Sequence, residues 1–257
     1  MKNSFKYIFI IIITIFSFYY TDKVIELSEY NNVVLASINE YASVNDKECI
    51  EGSINKNGII LGLSGIKVDK DKSYSNMKGI GFKKELIEYK NEKCILNKED
   101  NLDKYIIKGN NIENKISLIF DMYDLKYYET IENISRQEKI EINYLINYKN
   151  LEKIDSKNIL YKTNINNIKK ARKIINNFYC VKTNDYDIIK DCKKEKINSI
   201  KIINYIDNDL LLGVKKILNK GEIIFIKESY QNVNELLATI KYIKSRGYDV
   251  VSVDELL

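Results

Sequence analysis

The chain has 257 residues, 45% of them hydrophobic and 30% charged, with a formal net charge of +5; that suffices for one sizeable domain with smaller additions. It contains no Pro, His or Trp, and its arginines are confined to Arg136, Arg172 and Arg246. Without histidine there is no Ser-His-Asp triad, no Cys-His pair and no H-E-x-x-H zinc helix, and without an arginine cluster or an aromatic-glycine RNA motif nucleic acid is not expected as a partner.

Residues 5–20, FKYIFIIIITIFSFYY, are apolar apart from Lys6, Thr14, Ser17 and the tyrosines, with Lys2 and Lys6 ahead of the core of the run. The pattern predicts a transmembrane anchor over 1–22, with the N-terminus in the cytoplasm and the body of the chain outside it. A cleaved signal peptide is the alternative, but no small-x-small site precedes Thr21 and Asp22. Residues 23–57 are polar and irregular, with one possible short helix near 24–30, and read as a stalk. A small module is expected over 58–113. Its glycines Gly62 and Gly65 punctuate turns and do not form a phosphate loop, since Lys67 is followed by Val68. Asp69, Asp71 and Ser73 briefly suggest a calcium loop, but Tyr74 stands where glycine is needed and Ile80 where glutamate is needed; an exposed turn entering a short helix is expected instead.

From Lys115 strand and helix patterns alternate. Strands are expected at 116–120, 140–146, 158–161, 178–181, 199–203, 222–226 and 248–251, and helices near 127–136, 165–176, 186–194, 209–218 and 235–246. Such alternation predicts a parallel sheet with crossover helices, too short for a full eight-unit barrel; an open doubly wound sheet also fits the pattern. The C-terminal stretch is the clearest unit. Ile223 to Ile226 is continuously apolar, as in a strand covered on both faces. Leu236, Leu237, Ile240 and Ile243 then recur at helical spacing, Gly247 is placed to end the helix in a positive-φ conformation, and Ser252 with Glu255 makes a capping box. Four cysteines suit an oxidising compartment. Cys180 at a strand end and Cys192 in the following helix are expected to pair as neighbours, with Cys49 and Cys94 left to each other; four buried free thiols are the alternative.

The C-terminal "YIKSRGYDVVSVDELL", with its preceding strand and helix, resembles the end of NodB-like polysaccharide deacetylases of the carbohydrate esterase 4 class. The segment "GIKVDKDKSYSNM" followed by "DKYIIKGN" resembles the region preceding that domain in relatives from low-GC Gram-positive bacteria. The resemblance implies a distorted seven-stranded β/α barrel over 114–257, preceded by the small module and the anchor. It also implies where the chemistry should sit. The family's first strand ends in T-F-D-D-G, whose first Asp is the base and second a metal ligand; here the letters are Ile119-Phe120-Asp121-Met122-Tyr123. Asp121 thus stands at the position of the base, while a thioether, a poor partner for a hard or borderline cation, replaces the ligand. The histidine pair that completes the metal site is missing, the Arg-x-Pro motif that orients the base lacks its proline, and the position of the general acid is held by Lys227. No metal cofactor is therefore expected, and the chain reads as an inactive deacetylase-like envelope protein, with cell-wall glycan as the expected partner. An active deacetylase with a non-standard site is the alternative; a two-carboxylate glycosidase built on Asp121 and Glu228 is a further one.

Overall fold

The computed structural model describes residues 2–154, 159–162, 168–175, 178–182 and 188–257. In chain order the elements are α1 (Lys2–Asn45), β1 (Ser53–Asn55), β2 (Gly58–Ile60), β3 (Gly65–Val68), α2 (Lys70–Met77), β4 (Tyr89–Glu92), β5 (Tyr105–Lys108), β6 (Lys115–Asp121), α3 (Tyr128–Glu138), β7 (Asn143–Ile146), β8 (Ile159–Lys162), α4 (Ile168–Ile174), β9 (Tyr179–Lys182), α5 (Ile189–Lys194), β10 (Ser199–Lys201), β11 (Asn204–Ile206), α6 (Leu210–Ile217), β12 (Ile223–Lys227), α7 (Tyr230–Ser245), β13 (Asp249–Val250) and α8 (Val253–Leu256). They fall into two units, one of residues 1–49 and 64–92, the other of 50–63 and 93–257.

In the first unit α1 packs with α2 and the antiparallel pair β3 and β4. Val34, Ile38 and Ala42, one helical turn apart, are buried together with Val68, Met77 and Ile87, which is the stripe expected of a helix with one covered face. The segment 23–45, expected as an irregular stalk, is therefore helical: it has no Pro or Gly to stop a helix and has an apolar row to bury. Asp69 caps α2, its Oδ1 accepting the Lys72 N–H at 3.2 Å, so the acidic run that suggested a calcium loop is a helix start. Residues 9–13, 15, 16 and 18–20 expose their large apolar side chains, between 46% and 74%. Among the described residues no helix is long and apolar enough to cross a membrane, so the expected transmembrane anchor over 1–22 gains no support from the structure.

In the second unit one sheet runs β1-β2-β5-β10-β9-β8-β7-β6-β12-β11, with β13 added alongside β6. All these pairings are parallel except β1 with β2. β10 and β11 lie six strand spacings apart in this order, roughly 29 Å in a flat sheet. Yet β10 ends at Lys201 and β11 begins at Asn204, a span of at most about 11 Å of chain. The sheet must curl back on itself, which decides for a barrel-like arrangement over a flat doubly wound one. Its inner face carries one apolar layer drawn from nearly every strand: Ile59, Ile106, Ile200, Val181, Leu160, Leu145, Ile119 and Phe225. On the outer face Ile116, Leu118 and Phe120 of β6 join Leu236, Ile240 and Ile243 of α7. Both faces being covered, β6 and β12 are continuously apolar.

The C-terminal unit forms as its sequence dictates. Gly247 has φ +77°, and Ser252 Oγ accepts the Glu255 N–H at 3.2 Å to start α8. Helix α7 begins at Tyr230, five residues before its expected start, because Ser229 caps it through the Asn232 N–H. The chain's division also differs from the expected boundaries. Strands β2 and β5, placed by sequence in a separate module over 58–113, belong to the main sheet, to whose inner layer Ile59 and Ile106 contribute. The short β11 was not foreseen. Parts of the strand expected at 158–161 and of the helices expected at 165–176 and 186–194 lie outside the described residues.

Candidate functional site

Asp121 ends β6 and is in register with Leu145 of β7 on one side and Lys227 of β12 on the other. Paired residues of parallel neighbours share a face, and Ile119, two residues earlier, belongs to the inner layer; Asp121 therefore projects from the inner face. So do Lys227, two residues beyond Phe225, and Tyr205, which is in register with Phe225. Lys162, two residues beyond Leu160, projects from the same face at the end of β8.

These groups settle into closed pairs. The Lys162 ammonium forms an ion pair with Oδ1 of Asp121, whose side chain is only 15% exposed, and the Tyr205 hydroxyl donates to Oδ2 at 3.1 Å. Burial, with the Asp121 charge next to it, pushes the Tyr205 phenol well above its ordinary range. Lys227, though directly opposite Asp121, turns to Asp207 at 2.6 Å, and both members of that pair are about half exposed. Lys227 is thus a solvated partner in a surface pair and not a buried lysine of the kind a tuned general acid requires.

Glu228, the next residue, is spent on structure. Its carboxylate accepts backbone N–H groups from Tyr123 at 2.9 Å, Asp124 at 3.3 Å and Tyr127 at 3.0 Å, which fixes the loop between β6 and α3. A carboxylate with its lone pairs so engaged is poorly placed to act as the second acid of a glycosidase. Met122 is fully buried and belongs to the outer-face core with Phe120, Ile131 and Tyr144.

These residues do not fit the divalent cation that the family resemblance implies. The position of the ligand after Asp121 holds a thioether sealed in hydrocarbon, the chain has no imidazole, and Asp121 already has a cationic partner. Among the described residues no group of three carboxylates or thiols converges on Asp121. A pocket of about 250 Å3 lies at the other ends of the strands, lined by Lys98, Arg172, Tyr179, Lys196, Asn198 and Asp254 among others.

Sequence reasoning placed Asp121 and Lys227 at strand ends but missed Lys162 and Tyr205. A signal for Lys162 was available. Among the described residues five strands end in lysine, at Lys108, Lys162, Lys182, Lys201 and Lys227, and each reaches a partner outside its own strand: Glu222, Asp121, the Tyr105 ring, Asn57 and Asp207 respectively. An apolar run closing on Lys marks a strand whose stem packs on the sheet while its head finds an acceptor. The Cys180–Cys192 disulfide joins β9 to α5 as expected, with a Cα separation of 6.5 Å, and Cys49 and Cys94 are disulfide-bonded as well.

No protein-family profile matches the chain, and no curated protein does. Solved structures do. Wild-type BA3943 from Bacillus anthracis, described as a CE4 family pseudoenzyme, superposes with a TM-score of 0.60 at 17% identity, covering 87% of this chain and 94% of that one. A BA3943 mutant described as having restored enzymatic activity gives 0.59 at 17% identity, covering 87% and 97%. Bacillus subtilis PdaA, a family 4 carbohydrate esterase, gives 0.50 at 15% identity, covering 62% and 86%. At such identities it is the architecture that is shared: the resemblance read from the C-terminal sequence holds for the fold, and this chain is built on the scaffold of the family 4 carbohydrate esterases and of a pseudoenzyme of that family.

Proposed function

We propose that this protein is a deacetylase-like pseudoenzyme that works by binding, as a glycan-binding or scaffold component of the cell envelope. One observation carries the reading: the only acid retained from the family's base-and-ligand pair, Asp121, is held by Lys162 and Tyr205, while its neighbour Met122 is sealed in the core. A carboxylate held in an ion pair and by a phenol is a weaker base than a free one and is less available to activate water. The likeness in fold to a CE4 pseudoenzyme supports the same reading. Exposed tyrosines near the Asp121 end of the sheet, Tyr123, Tyr205 and Tyr230, are the faces on which sugar rings would stack. An envelope location is supported by the disulfide-bonded cysteines, and membrane association by the exposed apolar side chains of α1.

The test is acetate release from acetylated chitooligosaccharides and peptidoglycan fragments by the full chain in detergent, with glycan binding measured on the same samples. Binding without release is the expected result. Release abolished by Asp121→Asn would replace this reading with that of an active deacetylase having a non-standard site.

A further inference from the structure

A carboxylate withdrawn from water needs charge compensation, and Asp121 obtains it from its own chain, with one hydrogen bond, from Tyr205, at Oδ2. The source of the charge is unexpected. Lys227 is its registered neighbour on β12, yet that ammonium is committed to Asp207. Compensation comes instead from Lys162 on β8, two strands away on the other side, reaching past β7, whose residue at that level is Leu145. Leu145 is fully buried and carries no charge, so nothing on the intervening strand competes for Asp121 or for Lys162. The titratable groups facing the carboxylate are thus Lys162 and Tyr205, with the Lys227 and Asp207 pair beside them. Each of these anions has a lysine ammonium against it.

We propose that the Lys162 ammonium is the resident cation of the Asp121 site, so that the site is built to hold a primary alkylammonium and not a metal. The proposal rests on the pseudoenzyme reading and adds what has taken over the electrostatic role. It assigns Lys162 as a positioning residue: with Tyr205 it fixes the Asp121 carboxylate at the end of β6. Removing its side chain beyond Cβ should leave a channel beside an anion, of a size to admit an alkylammonium of about three carbons.

The experiment is chemical rescue in the full chain. Lys162→Ala is expected to unfold at a lower temperature than wild type, and n-propylammonium to raise that temperature in a saturable manner. Wild type and the double variant Lys162→Ala with Asp121→Asn should not respond, nor should Lys162→Ala respond to n-propanol or tetramethylammonium. Because Lys162→Ala could fail to fold, Lys162→Met, which keeps the stem, is measured with Asp121→Asn in a double-mutant cycle; coupling of about tenfold in the unfolding equilibrium is expected. Equal response of Lys162→Ala and wild type to propylammonium, stabilisation of Lys162→Ala by zinc in preference to the amine, or additivity in the cycle would overturn the proposal. Acetate release by wild type, in contrast, would sink the pseudoenzyme reading whatever the rescue shows, so the two failures are distinguishable.

Discussion

At the C-terminal ends of β6, β8, β11 and β12, charged side chains are paired off, Lys162 with Asp121 and Lys227 with Asp207, and Glu228 holds a loop by its backbone. At the opposite ends of β6, β7 and β9 the polar groups do a different job. Ser117 Oγ donates to the Val251 carbonyl at 2.7 Å, Asn143 Oδ1 accepts the Val253 N–H at 3.0 Å while its Nδ2 donates to the Leu118 carbonyl at 3.3 Å, and Tyr179 donates to Asp254 at 2.7 Å. These bonds tie the last residues of the chain across the base of the inner layer, where Val253 and Leu256 complete the core. One end is a lock on the fold; at the other the charges are paired off with one another. The difference teaches that one scaffold can serve its buried charges by an internal ammonium at one end while neutral hydrogen bonds secure the other.

The sharpest way to break this contrast is to force a ligand back into place. Met122→Asp puts a carboxylate into a fully buried hydrocarbon site and is expected to cost at least about 3 kcal/mol by urea unfolding; a neutral effect would show that the position is open to solvent after all. At the locked end Asn143→Ala strands the Leu118 carbonyl and the Val253 N–H together, and a loss of about 2 kcal/mol is expected, with faster hydrogen exchange across α8. The phenols sharpen the comparison through pH. Tyr179 and Tyr205, one at each end, are both raised above the ordinary phenol value, chiefly by burial. A raised folded value means the neutral form is favoured by folding, so their contribution is complete below about pH 10 and is lost as pH climbs toward the folded values. Absorbance titration should show delayed phenolate formation in the native protein, and Tyr205→Phe should reduce the delayed fraction. The smallest effect is expected at the solvated pair: Lys227→Ala should change stability by no more than about 0.5 kcal/mol.

How far the sequence spoke for the structure follows from how local each signal is. The β12-α7-β13 unit was legible because its period, its Gly247 stop and its Ser252 cap lie within a few residues of what they control. Asp121 was legible as a strand end for the same reason. The Lys162 contact was not, because the partner sits two strands away and only the curl and register of the sheet bring the ends of β6 and β8 together. Tyr205 was hidden in a three-residue strand that follows β10 so closely that the two read as one apolar run. Helix α1 was cut short because polar residues masked the Val34, Ile38 and Ala42 row, which the absence of any breaker before Gly52 could have revealed. The 58–113 region was misdivided because strand partners, unlike helix faces, cannot be assigned from spacing alone.

The central claim, that Asp121 is served by an internal ammonium and has no place for a metal, is tested most directly by calorimetric titration of zinc, cobalt and nickel into the full chain and its Asp121→Asn variant. Superposable traces with no saturable heat attributable to Asp121 are the result predicted. Micromolar binding in wild type that disappears on Asp121→Asn would contradict it.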